Sequence, residues 1–247
     1  MTRWRAAGIH FFASVVIALT LFSIAYFVWY PDPYFEAAGA KHLWIILVSV
    51  DVILGPVITL IVFKAGKPGM KFDMSFIIVA QAIALLYGFS VIADARPVYV
   101  VFAIDRFNVV PANWIVEDSQ KLARFPEYEK MSWTGPVLVA AQRPEDKERS
   151  ERLMFSALLG YDIETQPEFF VPYDRAKDAV LAAGKPVAEL LARYPEQEAD
   201  LRETLRRKHG SDEGLLYLPM TANRRDMAII IDANTSAVIT ALPVDPW

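Results

Sequence analysis

The chain has 247 residues, 54% of them hydrophobic, and its mean hydropathy is +0.27, too apolar for one soluble globular core. Charge is split along it: residues 1–96 carry seven Lys and Arg against five Asp and Glu, whereas residues 97–247 carry eighteen against twenty-four. The acidic second part lacks the basic surface that phosphate binding needs, which argues against a nucleic-acid partner, and a chain without cysteine has no disulfide, thiol chemistry or thiolate metal site.

Three apolar runs come first, at about 8–30, 43–63 and 74–93. Each is long enough, at ~1.5 Å per helical residue, to cover a ~30 Å hydrocarbon layer. Before its terminal aromatics the first run has only His10 as an ionisable group, the second has one acid, Asp51, and the third has no charge. The first run ends in Tyr26-Phe27-Val28-Trp29-Tyr30, an aromatic belt and not the small residues of a cleavage site, so it reads as an uncleaved anchor. Arg3, Arg5, Lys64, Lys67 and Lys71 flank one side of the spans and only Lys41 the other. Positively charged loops stay cytoplasmic. The expected topology is a cytoplasmic N-terminus, a three-span part (1–95) in a bacterial inner membrane, and a periplasmic domain (96–247).

Asp51 is the most informative single residue, because a carboxylate near the bilayer centre costs ~2.5 kcal/mol or more and has to face protein, a partner or water. Counted by helical rise it lies roughly 12 Å below the outer end of its span, level with Thr20 and Tyr87. A Thr20, Asp51, Tyr87 cluster is therefore expected, with Arg96 long enough to reach down from the surface. It is either a structural lock between helices, a contact for another membrane helix, or a proton relay; one acid with no titratable neighbour at its depth favours the first two. Gly55-Pro56 follows within a turn and predicts a kink. His10 and His42 read as interfacial, without the spacing of a metal site.

Beyond Arg96-Pro97, the run Val98–Ile104 reads as a buried strand and a second strand ends near Val110. Further strands are predicted at Val137–Ala141, Leu215–Leu218, Met227–Ile231 and Val238–Leu242, the last two joined by the turn formers 232–236. Helices are predicted at Trp114–Arg124, Pro144–Leu159, Tyr173–Ala183, Pro186–Arg193 and Pro195–His209. The fold class is a membrane α-helical part followed by a compact α+β domain. No nucleophile elbow, Gly-rich phosphate loop or His-rich spacing is present, so neither enzyme activity nor a cofactor or metal is expected. Asp105 and Arg106 read as a local salt bridge or half of a charged contact surface, and Arg206-Arg207-Lys208-His209 as a solvated helix end.

Taken in order, Trp29-Tyr30-Pro31, Asp51–Pro56 (DVILGP), Lys71-Phe72-Asp73, Leu86-Tyr87-Gly88, Arg96-Pro97, Asp105-Arg106-Phe107, Thr134-Gly135-Pro136, Leu218-Pro219-Met220-Thr221-Ala222 and the final Pro-Trp resemble the type IV pilin accessory proteins. Each motif is short; their order and spacing carry the resemblance, over almost the whole chain. It implies a non-enzymatic role in pilus assembly, or in the balance of extension and retraction, through contact with pilin or the assembly machinery. Asp51, Gly55, Pro56, Thr20 and Tyr87 are then the contact candidates in the lipid bilayer, and Arg96, Asp105 and Arg106 those outside it. The alternative is a membrane-anchored sensor whose outer domain binds a small ligand, a reading that a large apolar pocket would favour.

Overall fold

The computed structural model describes residues 2–247. They form two compact units: one holds the residues up to Phe35 together with Gly39–Arg96, the other Glu36–Ala38 together with Pro97–Trp247.

The first unit consists of three long apolar helices, α1 (Arg3–Trp29), α2 (Ala40–Val62) and α3 (Met70–Asp94), each able to cross a bilayer. All begin three to five residues before the apolar runs do, because hydropathy marks the hydrocarbon layer and not the helix end. Thr2 caps α1, its hydroxyl accepting from the Arg5 N–H at 3.3 Å. The left-handed Gly39 and Gly69 precede α2 and α3. Two stretches widen into π-helix, Ala25–Trp29 at the end of α1 and Ser49–Leu54 in the middle of α2. The second stands where Pro56, having no N–H and a ring that crowds the preceding turn, disfavours a regular ladder. The predicted kink thus takes the form of a wide turn before the α-helix resumes at Gly55–Val62. The end of α1 is tied to α3: the Tyr30 hydroxyl donates to Ile92 O at 2.7 Å, and Trp29 packs on Phe89 with ring centroids 4.9 Å apart.

In the second unit the strands are β1 (Pro97–Ala103), β2 (Arg106–Pro111), β3 (Val137–Ala141), β4 (Phe170–Pro172), β5 (Lys185–Pro186), β6 (Leu215–Thr221), β7 (Met227–Asp232) and β8 (Val238–Leu242). They form one mixed sheet in the order β4-β3-β1-β2-β6-β7-β8, with β5 paired on β6. The β1/β3 and β2/β6 pairs are parallel, the others antiparallel. All seven residues of β1 are buried, as its β-branched and aromatic run requires for a central strand. Tyr99 of β1 meets Phe170 of β4 edge-on at 5.0 Å in one hydrophobic cluster. Beyond α3 the helices are α4 (Glu117–Lys121), α5 (Lys147–Leu158), α6 (Lys177–Ala183), α7 (Val187–Ala192) and α8 (Glu198–His209), and the second cluster lies where α7 and α8 cover β6, β7 and β8, with Leu190, Leu205 and Ile230 fully buried.

Three local expectations are corrected. The helix predicted from Pro144 is Lys147–Leu158, started by Asp146, whose carboxylate accepts from the Arg149 N–H at 2.9 Å and so outcompetes the proline as start signal. The helix predicted over Trp114–Arg124 shrinks to Glu117–Lys121, with a 3-10 turn at Ala112–Trp114 before it. Strand β4 was not anticipated, being three residues long. At the far end of α8, Arg202 and Arg206 both bond Asp212, at 2.7 and 3.1 Å, and hold its carboxyl down to about 2. The predicted 232–236 turn is present, Asp232 Oδ1 accepting from the Asn234 and Thr235 N–H groups.

Candidate functional site

Within the first unit, α1 and α3 meet chiefly at the Trp29 end. Over the rest of their length a cleft of about 440 Å³ lies between them with α2 as its floor. Its walls are apolar, Ile9 and Ile17 on one side and Ile78 and Leu85 on the other. Its polar groups are His10, Ser14, Asp51, Thr59 and Gln81.

The wide turn of α2 supplies Asp51, whose residue is only 8% exposed. Among the described residues its carboxylate has no hydrogen-bonded protein partner. A buried acceptor without a donor is costly in a low-dielectric site. Gln81 Oε1 is fully buried and has no hydrogen-bond partner among the described residues. Two potential donors are already engaged with each other, the Thr59 hydroxyl and His10 Nδ1 lying 2.6 Å apart. Gly55 lets α2 approach Gln81, since a Cβ there would stand 2.1 Å from Gln81 Nε2; a Cβ on Gly88 would stand 2.6 Å from Leu47 Cδ1. Pro56 is buried beside Gly55. Small residues at such crossings bring membrane helices together.

The cluster expected at the depth of Asp51 does not form. The Thr20 hydroxyl donates to Val16 O at 2.9 Å on the outward face of α1, and Tyr87 is 72% exposed. Counting by helical rise says nothing of the direction around each axis, and Asp51 turns toward the His10 and Ser14 side of α1. Arg96 is 6% exposed and donates through Nη1 to Ala93 O at 2.7 Å, at the end of its own helix. His10 is no mere interfacial residue, because it bonds across to α2. The residues missed, His10, Ser14, Thr59 and Gln81, did leave a signal: His10 and Ser14 share a helix face at i, i+4, as do Gly55 and Thr59, and Gln81 is the one amide of α3.

In the second unit, Arg106 Nε donates to Asp105 Oδ1 at 2.8 Å, which holds the Asp105 carboxyl below its usual range. The same guanidinium lies 4.8 Å over the Trp247 ring, and Trp247 Nε1 donates to Asp226 Oδ2 at 2.9 Å. A separate hollow of about 360 Å³ is lined by Phe102, Ala140 and Val171 with Arg143 and Arg175 among its polar groups. Among the described residues no group of three His, Asp or Glu side chains is placed to hold a metal ion.

Comparison with known proteins gives a consistent family. The family model described as fimbrial assembly protein FimB matches residues 1–39. The fimbrial assembly protein of serogroup I from Dichelobacter nodosus is 32% identical over 98% of this chain and 95% of its own length. That of serogroup E1 is 31% identical over the same shares. The serogroup C1 and C2 protein is 36% identical over 46% of this chain and 88% of its own length. No solved structure matches the chain at a significant level.

Proposed function

The chain belongs to the fimbrial assembly protein family, whose members are accessory proteins of type IV pilus biogenesis, and on that premise we propose a non-enzymatic inner-membrane factor that modulates pilus assembly or the balance of extension and retraction. It acts by contact with pilin or the assembly machinery, through its helices in the bilayer and through its domain in the periplasm. The observation that carries this reading is the cleft of the three-helix unit, a buried polar floor between apolar walls. That arrangement suits recognition, an apolar seat for a neighbouring helix with a few polar groups at its floor. The Lys and Arg of the N-terminus and of the α2–α3 connection support a cytoplasmic N-terminus.

The test is an in-frame deletion of the gene, complemented in trans, scored for surface pili and twitching. Loss of either that the wild-type copy restores supports the reading, and unchanged pili and twitching in the deletion overturn it.

A second reading, the membrane-anchored sensor, is favoured by the hollow beside Phe102 and Val171, whose Arg143 and Arg175 would suit a small carboxylate. A concentration-dependent rise in melting temperature with a small carboxylic acid, abolished in Arg143→Ala, would support it; a flat response across a panel of such acids would remove it.

A further inference from the structure

We propose that the cleft floored by Asp51 and Gln81 seats a transmembrane helix of another protein, one that presents a hydrogen-bond donor (an amine, amide or hydroxyl) to these two acceptors within the membrane. The inference rests on the reading that this chain acts by contact inside the bilayer, and it names the place and the chemistry of that contact.

Three features select such an occupant. The cleft lining runs along α1 from Ala6 to Ile17, roughly 16 Å or three helical turns. That is a seat for a stripe of a helix. Its walls are aliphatic, so the occupant is apolar along its length. Its floor, however, holds the Asp51 carboxylate, which has no hydrogen-bonded partner among the described residues, and Gln81 Oε1, which is buried without one. A lipid tail entering the cleft leaves both acceptors without a donor, and an approaching second carboxylate is repelled. His10 Nδ1 and the Thr59 hydroxyl are occupied with each other. The complement to this floor is a donor carried on an apolar helix, where an interhelical hydrogen bond in hydrocarbon has little water to compete with it.

The test uses the full-length chain in its native membranes, with the photo-crosslinking residue p-benzoyl-phenylalanine placed at Ile17 or Ile78 in the cleft walls and, as controls, at Phe76 or Ile83, which lie outside it on α3. The expected result is an adduct whose crosslinked peptide lies in a membrane-spanning segment of another protein and carries a donor-bearing group. Its yield should be at least tenfold above the control positions and fall at least tenfold when Asp51→Leu and Gln81→Leu are combined. Asp51→Asn, which keeps a side-chain acceptor, should retain capture. Leucine for a buried acid eases membrane insertion, and immunoblotting of the membranes checks that the variants are present in equal amount. Adducts to lipid alone, to a second copy of this chain or to a segment without a donor overturn the proposal. Equal yields at the control positions, or yields unchanged in the double variant, overturn it as well. Piliation of the deletion strain separates the two conclusions: capture with normal pili removes the pilus role and keeps the seat, whereas lost pili without capture removes the seat and keeps the role.

Discussion

The Arg106 guanidinium lies 4.8 Å above the Trp247 ring while its Nε is bonded to Asp105, so Asp105-Arg106 and the C-terminal Pro-Trp, far apart in sequence, are one contact. Arg193 donates to the Trp247 carbonyl, and the Tyr194 hydroxyl donates to Asp245 O at 2.9 Å, fixing the segment from the other side. An exposed cation over an indole contributes about 0.5–1 kcal/mol. Trp247→Ala is expected to lower the unfolding free energy of the domain by about 1 kcal/mol, with Arg106→Ala costing a similar amount and the double variant less than the sum. Thermal unfolding of the four proteins in detergent checks the coupling.

Ile104 occupies the first position of the two-residue loop between β1 and β2 with φ of 63°, a position that favours glycine. A β-branched side chain there costs about 1–2 kcal/mol, and Ile104 is largely exposed, so little burial is lost on its removal. Ile104→Gly should raise the domain's stability by about 1 kcal/mol, and a denaturant midpoint that falls would contradict this.

Leu205 is fully buried between α8 and the sheet, whereas Leu158, at the end of the helix Lys147–Leu158, stands in the open. Truncation to alanine is expected to cost about 2–5 kcal/mol at Leu205, through lost transfer and a cavity, and less than about 0.5 kcal/mol at Leu158. Urea titrations of the two variants measure the contrast.

Asp212 sets an acid limit. Its carboxyl, held at about 2 by Arg202 and Arg206 against an ordinary 3.8, contributes stability that is complete above about pH 4 and is lost as the pH falls through the range from 4 to 2. Asp212→Asn should therefore melt lower than the wild type at pH 6, with the gap closing progressively between pH 4 and pH 2. A difference that stays constant with pH would place the effect elsewhere.

Gly55→Ala puts a methyl group where the Gln81 amide now lies, and that amide is the mobile end of a long side chain. Insertion and helix content should remain as in the wild type while capture from Ile78 falls several-fold, which circular dichroism and the crosslinking yield measure together.

Much of this architecture was legible in the residues. Apolar runs of twenty or so residues identify the long helices whatever their packing, and β3 and β8 begin and end where their β-branched runs do. Strand β4 was not legible, because Phe170–Pro172 is too short to show alternation. The parallel pairing of β1 with β3 and of β2 with β6 depends on long-range contacts that no local pattern contains. Asp51 stood out by its cost alone, but its neighbours did not. Depth along a helix follows from counting, whereas direction around its axis depends on every residue being in regular α-helix, and Ser49–Leu54 is not.

That wide turn makes the second long helix two α-helices that are out of phase. Ala40–Val48 sets Leu47 against α3 at Gly88, and Gly55–Val62 sets Thr59 against α1 at His10. Closing that turn into regular α-helix at its present length would rotate everything beyond it by about 100°. Thr59 would leave His10, and Gly55 would leave Gln81. The length of that turn is thus a gear tooth: it decides which faces of the helix meet which neighbours, although none of its apolar side chains has to touch them.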